Sequence, residues 1–143
     1  MSKIKNMIAK ETSTWVEFPD IDGFEVNLRF LTREDLVKIR GQSLQYKFNK
    51  RTRQREEEVD SDKFLEAYSE KAVADWRGLK VKHLPLLLPV DISTMDSNEN
   101  IEYSVEEALE LLKNSTIFDQ FVTDTMNDFE QFSKKKAETD SKN

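Results

Sequence analysis

Between Phe24 and Phe30 large apolar side chains alternate strictly with polar ones, Phe24, Val26, Leu28 and Phe30 being separated by Glu25, Asn27 and Arg29. A period of two puts every apolar member on one face of an extended chain, so the stretch describes a strand with one buried and one wet face. A helix would scatter the same residues around its circumference. Upstream, Trp15, Val16 and Phe18 make a shorter strand-like run. Between the two runs lies Pro19-Asp20-Ile21-Asp22-Gly23, whose Asp-Gly pair supplies a residue free to take positive φ. An antiparallel hairpin from Trp15 to Phe30 is expected, with an inner face that the rest of the chain must cover.

Helices supply that cover. Thr32 with Asp35 three residues on resembles a capping box and predicts a helix from Arg33 to about Tyr46, with Leu36, Ile39 and Leu44 inward. Gly41 weakens its middle by roughly 1 kcal/mol relative to Ala. A second helix is expected from Ser61 to about Trp76, because Phe64, Tyr68, Ala72 and Trp76 form a stripe at spacing four. Gly78 then suits a left-handed C-terminal cap, and Pro85 and Pro89 bar a regular helix through the leucine run that follows. Ser104 and Glu107 cap a third helix carrying Val105, Ala108, Leu109, Leu111 and Leu112. The last helix should run from about Ile117 to Ser133, with Phe118, Phe121, Val122, Thr125, Met126, Phe129 and Phe132 on one face. Near the start, Ile4, Met7 and Ile8 are at helical spacing and suit a short docking helix or a loose arm.

The expected fold class is α+β: an N-terminal β-hairpin or small antiparallel sheet, then a mainly helical remainder with about four helices. A chain of 143 residues suits one domain, placed at 1–133. Residues 134–143 hold no large apolar group and are expected to be a disordered polar tail. Residues 47–63 interrupt the pattern with Lys47, Lys50, Arg51, Arg53 and Arg55, then Glu56, Glu57, Glu58, Asp60 and Asp62. The two blocks can pair locally, and a mobile excursion or a polar hairpin between helices is expected there.

Composition narrows the function. Charged residues are 35% and apolar residues 37%, so the core is thin for the length. The net charge of −6 argues against nucleic acid, whose binding runs on clustered cations. The basic run from Lys47 is followed directly by acids that cancel its field within a Debye length of roughly 8–10 Å. No apolar run approaches the roughly 20 residues that span a bilayer, so no membrane partner is expected. With no cysteine there is no thiolate chemistry, and three glycines are little material for a phosphate-cradling loop. The single histidine, His83, has no nucleophile elbow to serve. Asp96, Asn98 and Asn100 with Glu107 occupy positions one, three, five and twelve of a calcium loop, but Ile101 stands where the turn needs Gly. No cofactor, no metal and no catalytic residue is expected; the chain reads as a binding protein and not an enzyme. The aromatic face of the last helix is either core or a surface that takes a partner helix or a second copy.

At Ala74-Asp75-Trp76-Arg77-Gly78-Leu79 the sequence resembles the tail assembly chaperones of long-tailed, siphovirus-like bacteriophages. The resemblance takes in the hairpin, the helix after Thr32, the Leu/Pro linker and the two aromatic C-terminal helices, and covers most of residues 14–133. It implies a non-enzymatic chaperone in the host cytoplasm that binds apolar helices of the tape measure protein during tail assembly, with the tail tube protein or a second copy as further partners. Trp76, Gly78 and Leu79 match the family's phrase. Phe118, Phe121, Val122, Met126 and Phe129 match by position and character, and with Trp76 and Leu79 are the partner-binding candidates. A longer frameshifted product is also implied, and Lys134-Lys135-Lys136 would suit an A-rich slippery site. The alternative is a virion structural or adaptor protein retained in the particle.

Overall fold

A computed structural model of the chain describes residues 2–7 and 12–128. A short helix α1, Lys3–Met7, precedes the strands β1, Ser13–Glu17, and β2, Glu25–Arg29. Helix α2, Arg33–Gln42, leads into β3, Leu44–Asn49, and β4, Gln54–Val59. Helix α3, Ser61–Ala72, passes directly into β5, Val73–Arg77, then a 3₁₀ turn at Val81–Leu86. Helices α4, Val105–Asn114, and α5, Thr116–Asn127, complete the described chain. The protein is an α+β fold of small antiparallel sheets followed by helices.

The expected hairpin is β1–β2, antiparallel, with Val16 opposite Val26 and Thr14 opposite Leu28. Phe24, Val26 and Leu28 are fully buried and Phe30 is half-buried, as the alternation requires. Strand β5 pairs with the other side of β2, giving the order β1-β2-β5. The inner face of this sheet joins Ile39, Ala72, Ala108, Leu111, Leu112, Phe118 and Val122 of the helices in one core. On the outer face the Arg77 guanidinium lies 4.1 Å from the centre of the Trp15 ring, and its Nε donates to Glu25 at 3.0 Å.

Two predicted helices are shorter than their patterns suggested, each yielding to a strand. Helix α2 stops at Gln42, and Leu44 and Tyr46 belong to β3. Leu36, expected inward, is exposed, and Ile39 alone of the helix is buried. Residues 44–59 are the polar hairpin, β3–β4, and not a loose loop. Helix α3 stops at Ala72, and Trp76 sits on β5 beside Val26. Gly78 is therefore not a helix cap. It has φ +81°, and a Cβ there would run into the carbonyl oxygen of Gly23. In α1 both Ile4 and Met7 are exposed, so this helix docks on nothing in the described chain; Ile8 lies outside the described residues.

The N-terminal cap of α2 follows the sequence. Thr32 Oγ1 accepts the Asp35 N–H at 3.1 Å, and Asp35 Oδ2 accepts the Thr32 N–H at 2.9 Å. Partial burial alone would raise the pKa of Asp35, but the Thr32 hydrogen bonds and nearby Lys71 and Lys38 outweigh it, so the carboxyl lies below its ordinary 3.8. A depressed carboxyl pKa contributes stability that is present above about pH 3.8 and is lost as pH falls through the folded value. Thr32→Ala is expected to cost about 1 kcal/mol in chemical denaturation at neutral pH and to reduce this acid-side loss. An unchanged midpoint would show that the cap is dispensable.

The linker between β5 and α4 is fixed to the sheet by polar contacts. Trp76 Nε1 donates to the Ile101 carbonyl at 2.8 Å, and the Tyr103 hydroxyl donates to the Val73 carbonyl at 2.9 Å. The Lys80 N–H donates to His83 Nδ1 at 3.0 Å, which requires that nitrogen unprotonated. Burial and the neighbouring Lys82 and Lys80 hold the His83 pKa below its ordinary 6.5, consistent with that bond.

Candidate functional site

The seven residues expected to bind a partner divide sharply by burial. Phe118 and Val122 are fully buried on α5, Trp76 is 4% exposed and Leu79 is 1% exposed. None of these four can be a docking surface. Phe118 stacks toward Phe18 and Phe24, with ring centres 6.3 and 6.5 Å away, and Trp76 meets it edge-on at 6.3 Å. The stripe is the centre of the core because α5 closes the open face of the β1–β2 hairpin. Phe121 and Met126 are half-buried against that core, and Phe129 lies outside the described residues.

Phe121 reaches the surface in a groove between α5 and the turn after β1. One wall is Val16, Glu17, Phe18, Pro19 and Asp20; the other is the α5 face of Thr116, Ile117, Gln120, Phe121, Asp124, Thr125 and Asp128. The groove has a volume of about 690 Å³ and is open to solvent. Its floor is apolar: Phe121 packs on Phe18 at 4.8 Å between ring centres, and Ile117 leaves 53% of its surface exposed. Its rim carries the carboxylates of Glu17, Asp20, Asp124 and Asp128, and among the described residues no Lys, Arg or His lines it. Gln120 Nε2 donates to Asp124 Oδ1 at 2.7 Å, which orients that carboxylate. The Ser115 hydroxyl caps α5 by accepting the Phe118 N–H at 3.0 Å, so the helix begins at the groove's edge.

Sequence reasoning named Phe121 and missed Ile117, Glu17, Asp20 and Asp124. The pattern held a usable clue. Helix α5 is apolar at 117 and 121 as well as at 118 and 122, a band wider than one core-facing stripe. Positions 117, 121, 124 and 128 continue as a second line at three and four spacing that turns acidic. Such a line is half floor and half rim.

A second cleft of about 600 Å³ is polar and of mixed charge, with Arg29, Lys38 and Lys71 against Asp35 and Glu70. Arg29 is already committed there, donating to the Glu70 and Lys71 carbonyls at the end of α3 at 3.2 and 3.0 Å. Among the described residues no group of three or more His, Asp or Glu is placed to hold a metal ion, and no helix is long and apolar enough to cross a membrane. Asp96 makes a local turn, its Oδ1 accepting the Asn98 N–H at 3.0 Å.

A family model described as YdaY prophage protein matches residues 32–143 of the chain. No curated protein matches, and no solved structure matches.

Proposed function

The chain belongs to the YdaY prophage protein family, and on that premise we propose that it is a non-enzymatic assembly chaperone acting in the host cytoplasm. Its client is an apolar helix of the phage tape measure protein, seated in the groove between α5 and the turn after β1. The observation that carries this reading is the apolar floor of Phe18, Ile117 and Phe121, open to solvent on a chain whose other aromatic in α5, Phe118, is committed to the core. A helix laid along such a floor buries its apolar stripe without nucleotide or cofactor, and affinity follows the apolar area covered less the cost of ordering. The binding surface is thus the flank of α5 next to the Phe118–Val122 stripe.

Co-expression with the tape measure protein of the same prophage tests the reading. The client is expected to co-purify in soluble form with the wild-type chain. Ile117→Asp should weaken capture by at least about tenfold, the order expected for a charge set into an apolar contact, while the circular dichroism spectrum stays unchanged. Equal capture by this variant would remove the groove from the reading. Stoichiometric presence of the chain in purified particles would favour the retained adaptor instead.

A further inference from the structure

The β3–β4 hairpin is an arm outside the core. Every residue from 44 to 59 is exposed or half-buried, and none belongs to the core cluster. In its register Leu44 faces Val59, Tyr46 faces Glu57 and Phe48 faces Arg55, which gathers the aromatic side chains on one face. Tyr46 and Phe48 remain 60% and 59% exposed, with the Arg55 guanidinium 4.9 Å above the Tyr46 ring. At the tip, Asn49 builds the turn by accepting the Arg51 N–H at its side chain and the Arg53 N–H at its carbonyl. This presents Lys50, Arg51 and Arg53 together, and among the described residues none of the three forms an ion pair. Glu56 and Glu58 are on the opposite face, held by Asn49 and Gln45.

A two-stranded hairpin with two open edges and an uncovered aromatic face gains from being covered. Elsewhere in the same chain the groove has the complementary character: an apolar floor, and a rim that includes Glu17, Asp20 and Asp124 and, among the described residues, no cation. We infer that the arm of one copy docks in the groove of a second copy, Tyr46 and Phe48 on the floor and the Lys50, Arg51 and Arg53 tip against the carboxylates. The three cations of the tip meet an acidic rim, which fixes orientation and partner choice. The inference does not need the client reading, but it bears on it, because a docked arm and a client helix compete for one groove.

Sedimentation velocity over a concentration series tests it with the full chain. Reversible association is expected at 0.1 M salt and should weaken at 1 M, where the Debye length falls from about 10 Å to about 3 Å. Arg51→Glu with Arg53→Glu should weaken association by at least about tenfold, and Glu17→Lys with Asp124→Lys by a similar factor, as close charge pairs at an interface imply. An equimolar mixture of the two variants should associate again, since arm and groove are then complementary in the reversed sense. A chain that stays monomeric throughout, an arm variant that associates as well as wild type, or a mixture that does not recover would each overturn the inference. The arm variant leaves the groove intact and should still capture the tape measure protein, so failure here and failure of the client reading are read separately.

Discussion

Phe118→Ala is expected to destabilise the protein by about 3–5 kcal/mol, the range for removing a fully buried aromatic ring. A domain of this size has roughly 5–15 kcal/mol in all, so the loss is a large fraction of the total. Phe118 has no exposed surface, and its ring has Phe18, Phe24, Trp76 and Phe121 around it with centres 6.2–6.5 Å away. These neighbours come from the β1–β2 turn, β5 and α5, so no single element can shift to fill the void. Urea denaturation followed by tryptophan emission reads both stability and the packing around Trp76. A cost below about 1 kcal/mol would mean that the cluster collapses readily onto the gap.

Gly78→Ala should come close in magnitude for a different reason. Gly78 and Gly23 both have positive φ, at +81° and +84°, and a Cβ on Gly78 meets the Gly23 carbonyl. The left-handed conformation alone costs an alanine about 1–2 kcal/mol. The collision with backbone adds to it, because a carbonyl held in the hairpin turn cannot rotate away as a side chain would. A loss of at least about 3 kcal/mol is expected, the clash and the strain together. Gly41→Ala is the internal contrast: it sits in α2 with nothing within 4 Å of a new Cβ, and should stabilise by about 0.5–1 kcal/mol. Equal effects from the two substitutions would remove the close approach from the explanation.

The elements legible in the sequence were those whose period matched their environment over several turns. The β1–β2 hairpin, the capped start of α2 and the starts of α4 and α5 are of this kind. Strand β5 was hidden by a bulge. The register of β2 against β5 shifts between Asn27 and Leu28, so Leu28 faces Val73 while Val26 faces Trp76. The two buried residues of β5 therefore lie three apart, and Val73 and Trp76 imitate helical spacing. The stripe Phe64, Tyr68, Ala72, Trp76 ran unbroken through the boundary for that reason. The arm was legible in part: a polar hairpin is one of two expectations for residues 47–63, but Leu44 and Tyr46, which alternate with Gln45 and Lys47 as a strand requires, also continue the spacing of α2 and read as its end. The candidate site was legible only at Phe121, because a groove joins residues about a hundred positions apart and its acidic rim has no local period.

The junction at the root of the arm is closed. Asp60 N–H donates to the Ser43 carbonyl at 2.8 Å, and the Ser43 hydroxyl, fully buried, donates to the Ile39 carbonyl at 2.7 Å. The two chain ends that enter and leave residues 44–59 are thus pinned side by side, and α2 and α3 are joined across that pin whatever lies beyond it. Loop-closure entropy grows only with the logarithm of length, by about 0.6 kcal/mol per doubling. The arm is accordingly a cassette. It can be lengthened, trimmed or exchanged with little consequence for the rest of the molecule, and changes in what the protein touches through its tip need not be changes in how it folds.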